Sequence, residues 1–234
     1  MLAIEAARKI VVDNGWLSQT PASFQCAILD RCRLQSFKTG QSIYMAGDPP
    51  GGMFGLVSGR VGISIAPGER GPYFAHLGRP GTWFGEASAV LRQPRRVGLT
   101  ATRDAELLYL PIEKIDEIVA ANSNAWRLFA LVTVGHLETA IGACDDLMLR
   151  DHVKRCIATV LRLGGCRNFS PPNPTPVEID ARQDEIATLA NVSRATAGKV
   201  LRNLETKGLI ESSYRRIRIL APDTLRLMLL DPRT

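Results

Sequence analysis

The strongest pattern of apolar and polar positions lies between Gln183 and Glu205, where two short helical periodicities follow one another. The first periodicity places three apolar side chains on one helix face: Ile186, Leu189 and Ala190. Asn191-Val192 interrupts the pattern, and Ser193 is well placed to cap a second helix with its hydroxyl. Apolar residues at i, i+3, i+4 and i+7 predict that the second helix buries Ala197, Val200, Leu201 and Leu204.

The opposite face of the second helix carries short or basic side chains, which can approach an anionic surface closely: Arg194, Ala195, Thr196, Gly198, Lys199, Arg202 and Asn203. After Gly208, a run ending at Ile219 predicts a β-hairpin whose turn spans Ser212 to Arg215. Two helices followed by a basic hairpin are typical of a winged helix-turn-helix, whose second helix enters the major groove of DNA. The alternative is a solvated helical hairpin in an ordinary core.

The residues before this segment predict other kinds of secondary structure. Residues 1–33 are predicted to be helical, with breaks at Asn14-Gly15 and Thr20-Pro21. From Leu34 to Leu110, short β-like runs cover residues 41–44, 53–57, 61–65, 73–77, 99–102 and 106–110. Turn signals separate them at residues 47–52, 58–59, 67–68 and 79–81. Many short strands at this spacing predict a small antiparallel barrel or jelly roll.

Helical character returns after Pro111. Ser123 or Asn124 can cap a long helix that we expect to run to about Leu163 and to end at Gly164-Gly165. One stripe along it repeats every three or four residues, as in a coiled-coil seam between two chains: Trp126, Phe129, Thr133, Leu137, Ala140, Cys144 and Leu147. A stripe that packs within its own chain is the alternative. The proline-rich segment 171–176 then forms an irregular connection.

These elements predict an α+β protein in three parts. Residues 1–122 form N-terminal helices and a jelly-roll domain, residues 123–167 a dimerisation helix and hinge, and residues 168–234 the winged helix-turn-helix. With 234 residues, each part has enough chain to contribute to a core.

The placement of charge favours a nucleic-acid partner. The chain carries a net charge of +6, and from Arg182 to Leu220 eight basic residues face four acidic ones, a net +4. A basic surface centred on the predicted helices is what neutralising phosphates requires. Composition is otherwise ordinary for a globular protein, and we expect neither a bilayer-spanning apolar run nor a signal peptide. The odd number of cysteines, five, predicts reduced thiols in the cytoplasm.

Several short motifs occur in a definite order: Gly47-Asp48, residues 56–61, Trp83-Phe84-Gly85-Glu86 followed by Pro94-Arg95, and residues 192–196. In this order, from about Gly15 to Leu220, the chain resembles the cAMP receptor protein and fumarate-nitrate regulator (Crp/Fnr) family of bacterial transcription factors. The resemblance implies a cyclic nucleotide-binding-like β-roll, a long dimerisation helix and a C-terminal winged helix. It also implies a homodimer with two partners, double-stranded DNA and RNA polymerase.

The same resemblance implies a ligand site in the β-roll. In nucleotide-binding members, helix amides and an arginine face the cyclic phosphate, and a glutamate accepts from the ribose hydroxyl. The residues here are Gly85, Glu86, Ala87, Arg95 and Arg96. Arg96 replaces the usual serine or threonine, and Ala140 and Ile141 replace two adenine-facing hydroxyls, so cAMP is not the expected ligand. A cyclic nucleotide, another small anion, and a β-roll that binds nothing all remain open.

Other chemistries lack a matching pattern. An oxygen-sensing iron–sulfur cluster needs more clustered cysteines than Cys26 and Cys32. His76 precedes the Arg79-Pro80-Gly81 turn, whereas the haem ligand of the family's carbon monoxide sensor follows it. We find no nucleophile, base and orienting group in one motif, so we expect no metal, no required cofactor and no enzymatic activity.

The sequence therefore predicts a cytoplasmic, homodimeric transcription regulator that reads a palindromic promoter site through residues 193–204, without a membrane partner. The residues expected to contact DNA are Gln183, Ser193, Arg194, Ala195, Thr196, Lys199, Arg202, Arg215 and Arg216. The alternative is a small-ligand sensor whose winged helix contacts mainly protein.

Overall fold

The structure is a computed structural model that describes residues 3–66, 71–168 and 176–230. It divides into two compact units, Met1–Leu137 and Glu138–Thr234. The turn predicted at residues 67–68 and residues 171–175 of the proline-rich connection lie outside the described residues. The division of the chain at residues 122 and 167 stays a prediction.

The N-terminal unit places helices beside one antiparallel sheet. Helices α1 (Ile4–Asp13) and α2 (Ala22–Leu29) confirm the predicted breaks, with a 3-10 turn at Leu17–Gln19 between them. The strands are β1 (Arg33–Phe37), β2 (Ser42–Tyr44), β3 (Met53–Ile65), β4 (Tyr73–Gly78), β5 (Trp83–Phe84) and β6 (Val97–Leu110). Helix α3 (Glu86–Leu91) lies between β5 and β6, and α4 (Ile112–Ala121) and α5 (Ala125–Met148) follow.

The strand order β1-β6-β3-β4, with β2 on β6 and β5 on β3, confirms the predicted antiparallel β domain. The runs 53–57 and 61–65 are one strand, β3, which continues through register shifts between Leu56 and Val61. Gly59 makes this possible, because its φ of +77° suits glycine and a Cβ there would lie 2.0 Å from the Asp104 carbonyl oxygen. The runs 99–102 and 106–110 likewise merge into β6.

An aromatic cluster joins the N-terminal helices to α5. Trp16 packs against Phe24, Trp83 and Phe129, with ring centroids 5.6 to 5.9 Å apart. Phe129 is fully buried in this core, so its assignment to the dimer seam was wrong. The periodicity was real, but this part of the stripe faces the chain's own core.

Exposed apolar side chains of α5 form a line that differs from the predicted seam and includes the four most exposed large apolar residues of the helix. Spaced alternately by four and three residues, they form what we call the apolar stripe: Ala130, Val134, Leu137, Ile141, Cys144 and Met148. Leu137 and Ile141 are 57% and 59% exposed. The stripe shares only Leu137 and Cys144 with the predicted seam, although Trp126, Thr133, Ala140 and Leu147 of that seam are also exposed.

Helix α5 also changes the expectation about membranes. Its 24 residues include an 18-residue window of mean hydropathy 1.3, of which 11% is buried. By length and composition alone such a helix is able to cross a bilayer, so the expectation that no apolar run reaches that length was wrong. A single helix of this kind is weak evidence for a membrane span.

The C-terminal unit shows that the long helix predicted to reach Leu163 is two helices. Helix α5 ends at Met148, and α6 covers His152–Leu163. Asp151 separates them, because its carboxylate accepts hydrogen bonds from the backbone amides of Val153 and Lys154 and so caps a new helix. The remaining elements are β7 (Val177–Ile179), α7 (Gln183–Leu189), α8 (Arg194–Thr206), β8 (Ile210–Ser213), β9 (Arg216–Ile219) and α9 (Pro222–Leu230).

Two arginines of α6 organise this unit. Nε of Arg155 donates to the Ala190 carbonyl oxygen at 3.0 Å, which fixes the end of α7 against α6. Nε of Arg162 donates to the Asp146 carboxylate at 2.8 Å, and Nε of Arg167 donates to the same carboxylate at 2.9 Å. Asp146 is 1% exposed, and a buried carboxylate without a partner is costly, so Arg162 and Arg167 balance its charge.

Candidate nucleic-acid interface

The predicted pair of short helices is present as α7 and α8. The residues predicted to be buried on the second helix are all buried: Ala197, Val200, Leu201 and Leu204. Ser193 caps α8, since its Oγ accepts a hydrogen bond from the Thr196 amide at 3.0 Å. The hydroxyls of Ser193 and Thr196 also lie 2.8 Å apart, so both already have a partner within the helix end.

Gln183 connects the two helices. Its Nε2 donates to the Arg194 carbonyl oxygen at 2.8 Å, across the turn between α7 and α8. Gly198 makes room for this contact, because a Cβ at that position would lie 2.1 Å from the same nitrogen. Gln183 therefore positions the start of α8, in addition to lying beside its exposed face.

The exposed face of α8 is cationic. Arg194, Lys199 and Arg202 are all exposed, and Ala195 is exposed between them. Among the described residues, none of these three cations lies within ion-pair distance of a carboxylate. Cations without acidic partners are available to phosphates and to base acceptors.

The hairpin β8–β9 confirms the predicted wing. Its two-residue turn is shorter than expected and consists of Tyr214 and Arg215. Glu205 of α8 holds the wing in place, since its Oε1 accepts a hydrogen bond from the Ser212 amide at 2.8 Å. An open cleft of about 460 Å³ lies between the wing and α8.

The wing arginines differ in their partners. Arg216 lies 3.6 Å from a carboxylate oxygen of Glu178 on β7. Arg218 pairs with Glu211 and lies 3.8 Å from Glu178. For Arg215, the structure shows only a contact with its neighbour, the Tyr214 ring, at 4.9 Å from the centroid. No pattern in the sequence distinguishes Arg215 from Arg216.

In the β-roll, Arg95 is held by protein groups. Nη2 donates to the Gly52 carbonyl oxygen at 2.8 Å and Nη1 to the Gly85 carbonyl oxygen at 3.2 Å. The guanidinium also lies 4.3 Å from the centroid of the Tyr44 ring. Burial lowers the pKa of Arg95 and raises that of Tyr44, because each loses solvation of its charged form. Gly85 is required here, since a Cβ would lie 2.5 Å from Nη1.

The other predicted ligand residues take separate positions. Ala87 lies half-buried in the first turn of α3. Arg96 turns outward, and its Nη2 donates to the side-chain oxygen of Gln93 at 2.8 Å. The two adjacent guanidiniums therefore do not share one pocket, which removes the repulsion that a shared pocket would cause.

Glu86 has a partner that the sequence did not reveal. The buried Glu86 lies 3.0 Å from Nδ1 of His136 on α5, and the imidazole stacks on Phe84 at 5.8 Å. Burial lowers the pKa of His136, but the hydrogen bond and the charge of Glu86 outweigh burial, so the pKa is raised. Fifty residues separate the two side chains in sequence, and no local pattern connects them.

Within the described ranges, no group of three or more His, Cys, Asp or Glu side chains is arranged to hold a metal ion. The five cysteines carry no disulfide, and burial raises the pKa of Cys156 to about 11, which disfavours its thiolate.

Comparison with known proteins identifies both halves. Residues 34–122 match the cyclic nucleotide-binding domain, and residues 154–228 match the Crp-like helix-turn-helix domain. A global nitrogen regulator from Nostoc sp. is 24% identical over 82% of this chain and 87% of its own. A cAMP-activated global transcriptional regulator from Haemophilus influenzae is 22% identical over 86% of this chain and 91% of its own.

Solved structures share the fold. A CRP/FNR-family transcriptional regulator from Thermus thermophilus is 24% identical, with a TM-score of 0.62, over 85% of this chain and 99% of its own. The c-di-GMP-responsive global regulator CLP of Xanthomonas campestris is 20% identical, with the same TM-score and the same coverage. The names of these relatives include different signals, so the shared fold does not identify a ligand.

The Glu86–His136 pair predicts a pH-dependent stability. Because the folded pKa of His136 lies above the ordinary 6.5, the pair stabilises fully below about pH 6.5, and this contribution is lost as the pH rises through the folded pKa. Urea unfolding between about pH 6 and pH 9 measures the free energy of unfolding of the parent and of His136→Gln. The parent should be the more stable of the two, and the difference should be largest at the acidic end. Glu86→Gln should remove the same pH-dependent difference, and the double variant should add nothing further. A constant parent–variant difference across this range would contradict the assignment.

Proposed function

The chain joins a cyclic nucleotide-binding domain to a Crp-like helix-turn-helix domain and so belongs to the Crp/Fnr family of transcription regulators, and we propose that it acts as a cytoplasmic homodimer that reads a two-fold symmetric DNA site. The observation that carries this proposal is the cationic, unpaired face of α8 beside a basic wing. The function is regulatory rather than enzymatic, as the names of the relatives suggest. A promoter-bound dimer would act through RNA polymerase.

Within this proposal the predicted contacts fall into three groups: base contacts, phosphate contacts and residues that position α8. Arg194 and Lys199 can donate to guanine acceptors in the major groove, whereas Ala195 offers only a methyl contact. Arg202 and Arg216 flank the cleft and suit phosphates. Ser193, Thr196 and Gln183 are engaged at the start of α8, so we assign them to positioning the helix.

The apolar stripe is the proposed dimer seam. A lone α5 leaves Val134, Leu137 and Ile141 about half exposed, and burying them against a second α5 would remove that surface from water. Their alternate spacing of four and three residues matches two helices packed along each other. Pairing two copies would also present two α8 helices to successive major grooves.

The effector of this family member is proposed not to be cAMP. Arg95 and Glu86 already have protein partners, and a cyclic nucleotide would have to replace the carbonyl contacts of Arg95 and the His136 contact of Glu86. Arg96 points outward and supplies no hydroxyl to the phosphate. The alternatives to cAMP are a different small anion and a β-roll that binds no effector.

Sequence-specific DNA binding tests the proposed function. A binding selection on random duplexes should yield a two-fold symmetric site. Arg194→Ala should lose on the order of 1–3 kcal/mol of binding free energy and relax specificity, because it removes a base contact. Arg216→Ala should weaken binding to all DNA sequences alike, because it removes a phosphate contact. The slope of log affinity against log salt concentration should fall by about one in magnitude.

The control for this experiment is Arg33→Ala, which removes an exposed cation of the N-terminal unit and should leave DNA affinity unchanged. A flat sequence preference for the parent protein would overturn the proposal and favour a winged helix that contacts protein.

The seam is tested by Leu137→Glu combined with Ile141→Glu. Both side chains are exposed in the single chain, so the variant should fold, but paired copies would bury unpaired charges. Light scattering should report a dimer for the parent and a monomer for this variant. Leu131→Glu, at a position that is exposed but outside the stripe, should remain dimeric. A monomeric parent, or one recovered only with lipid or detergent, would contradict the dimer.

Calorimetry and DNA-binding titrations with and without cAMP test the effector. Specific DNA binding should occur without cAMP and change little when it is added. Micromolar cAMP binding together with a tenfold gain in DNA affinity, about 1.4 kcal/mol of coupling, would show this prediction to be wrong.

A further inference from the structure

The tip of the wing has a feature that the major-groove contacts proposed above do not use. Its loop consists of Tyr214 and Arg215 alone, because Ser213 pairs with Arg216. Tyr214 is 84% exposed, and the guanidinium of Arg215 lies over its ring. The tip therefore presents a cation supported by an aromatic ring to solvent.

Arg215 occupies a backbone conformation that suits another residue better. Its φ is +63°, in the left-handed region that glycine and asparagine adopt more easily than arginine. Folding alone would favour glycine at the second position of a two-residue hairpin loop. An arginine kept in a disfavoured conformation suggests that its side chain acts outside the folded chain.

The ion-pair partners of the wing arginines also indicate that Arg215 acts outside the folded chain. Arg216 and Arg218 both lie near Glu178, which partly neutralises them. Among the residues the structure describes, Arg215 has no carboxylate within ion-pair distance. Its charge is therefore available in full to an anionic partner.

The cleft between α8 and the wing decides which part of DNA the tip would meet. Its walls are basic on both sides, with Arg194 and Arg202 on α8 and Arg215 and Arg216 on the wing. One sugar-phosphate strand of B-DNA separates a major groove from the adjacent minor groove. When α8 lies in the major groove and that strand enters the cleft, the wing tip faces the minor groove on the far side.

We propose that Arg215, supported by Tyr214, reads the minor groove that flanks the half-site and makes the protein prefer A·T-rich flanks. Narrow A·T-rich minor grooves carry an enhanced negative potential that attracts arginine. In G·C pairs the guanine amino group adds a donor to the same groove, which disfavours a cation there. This inference rests on the proposed DNA-binding function and adds a specificity determinant outside α8.

The test uses the full-length protein and three duplexes that share one selected half-site and differ only in the flank, which contains A·T, G·C or inosine·C pairs. Inosine·C keeps the major-groove acceptors of G·C but lacks the amino group in the minor groove. Fluorescence anisotropy should show similar affinities for the A·T and inosine·C flanks. The G·C flank should bind at least about fivefold more weakly, the lower end of the range for a mismatched base pair.

Arg215→Gly separates recognition from folding. Glycine suits a φ of +63°, so the thermal unfolding temperature of this variant should be at least as high as that of the parent. The variant should bind the A·T flank more weakly than the parent and should treat all three flanks alike. Arg215→Asn, which also tolerates this conformation, should repeat the result.

Two matched variants complete the experiment. Arg216→Ala should lower the affinity for all three duplexes by the same factor and leave the ratios between these affinities unchanged, because Arg216 is assigned to a phosphate contact. Arg194→Ala should lose half-site discrimination and keep the flank ratio.

Three results would overturn the inference: equal parent affinity for all flanks, inosine·C bound as weakly as G·C, or an unchanged flank ratio in Arg215→Gly. In each case the parent would still select its half-site, so the proposed function would stand. A parent without any half-site preference would instead overturn the proposed function itself.

Discussion

The packing of α8 against its own unit is the constraint on which the rest of the DNA-facing surface depends. Burying Ala197, Val200, Leu201 and Leu204 fixes the rotation of the helix about its axis. The opposite face must then point to solvent, and it carries the cations. Arg155 of α6, which donates to the end of α7, and Gln183, which donates to the start of α8, hold the helix pair in this orientation. A side-chain carboxylate of α8, Glu205, also positions the wing.

Buried polar groups shape the β-roll in the same way. Burying a guanidinium or a carboxylate is costly unless hydrogen bonds replace its lost solvation. Arg95 obtains them from two backbone carbonyls and Glu86 obtains one from His136. Any ligand in this site would have to offer better partners than these.

The break between α5 and α6 follows from local and long-range contacts together. Asp151 caps α6 through two backbone amides, so a new helix begins at His152, three residues being left between the two helices. The buried Asp146 then binds Arg162 and Arg167, so the end of α5 is fixed to α6 by charge-assisted hydrogen bonds. Residues 149–151 contain neither glycine nor proline, the usual helix breakers, which is why the sequence predicted one helix.

The sequence by itself determined the parts of the fold that depend on local pattern. The α8 stripe, the Ser193 cap and the hairpin after Gly208 were predicted because period and capping act within a few residues. Only the tertiary structure decided that Phe129 is buried in the chain's own core, since it differs from the exposed apolar residues of α5 only by what packs against it. It alone decided that His136 contacts Glu86 and that the side chains of Arg95 and Arg96 point to different partners. Contacts between residues distant in sequence produce no periodic pattern along the chain.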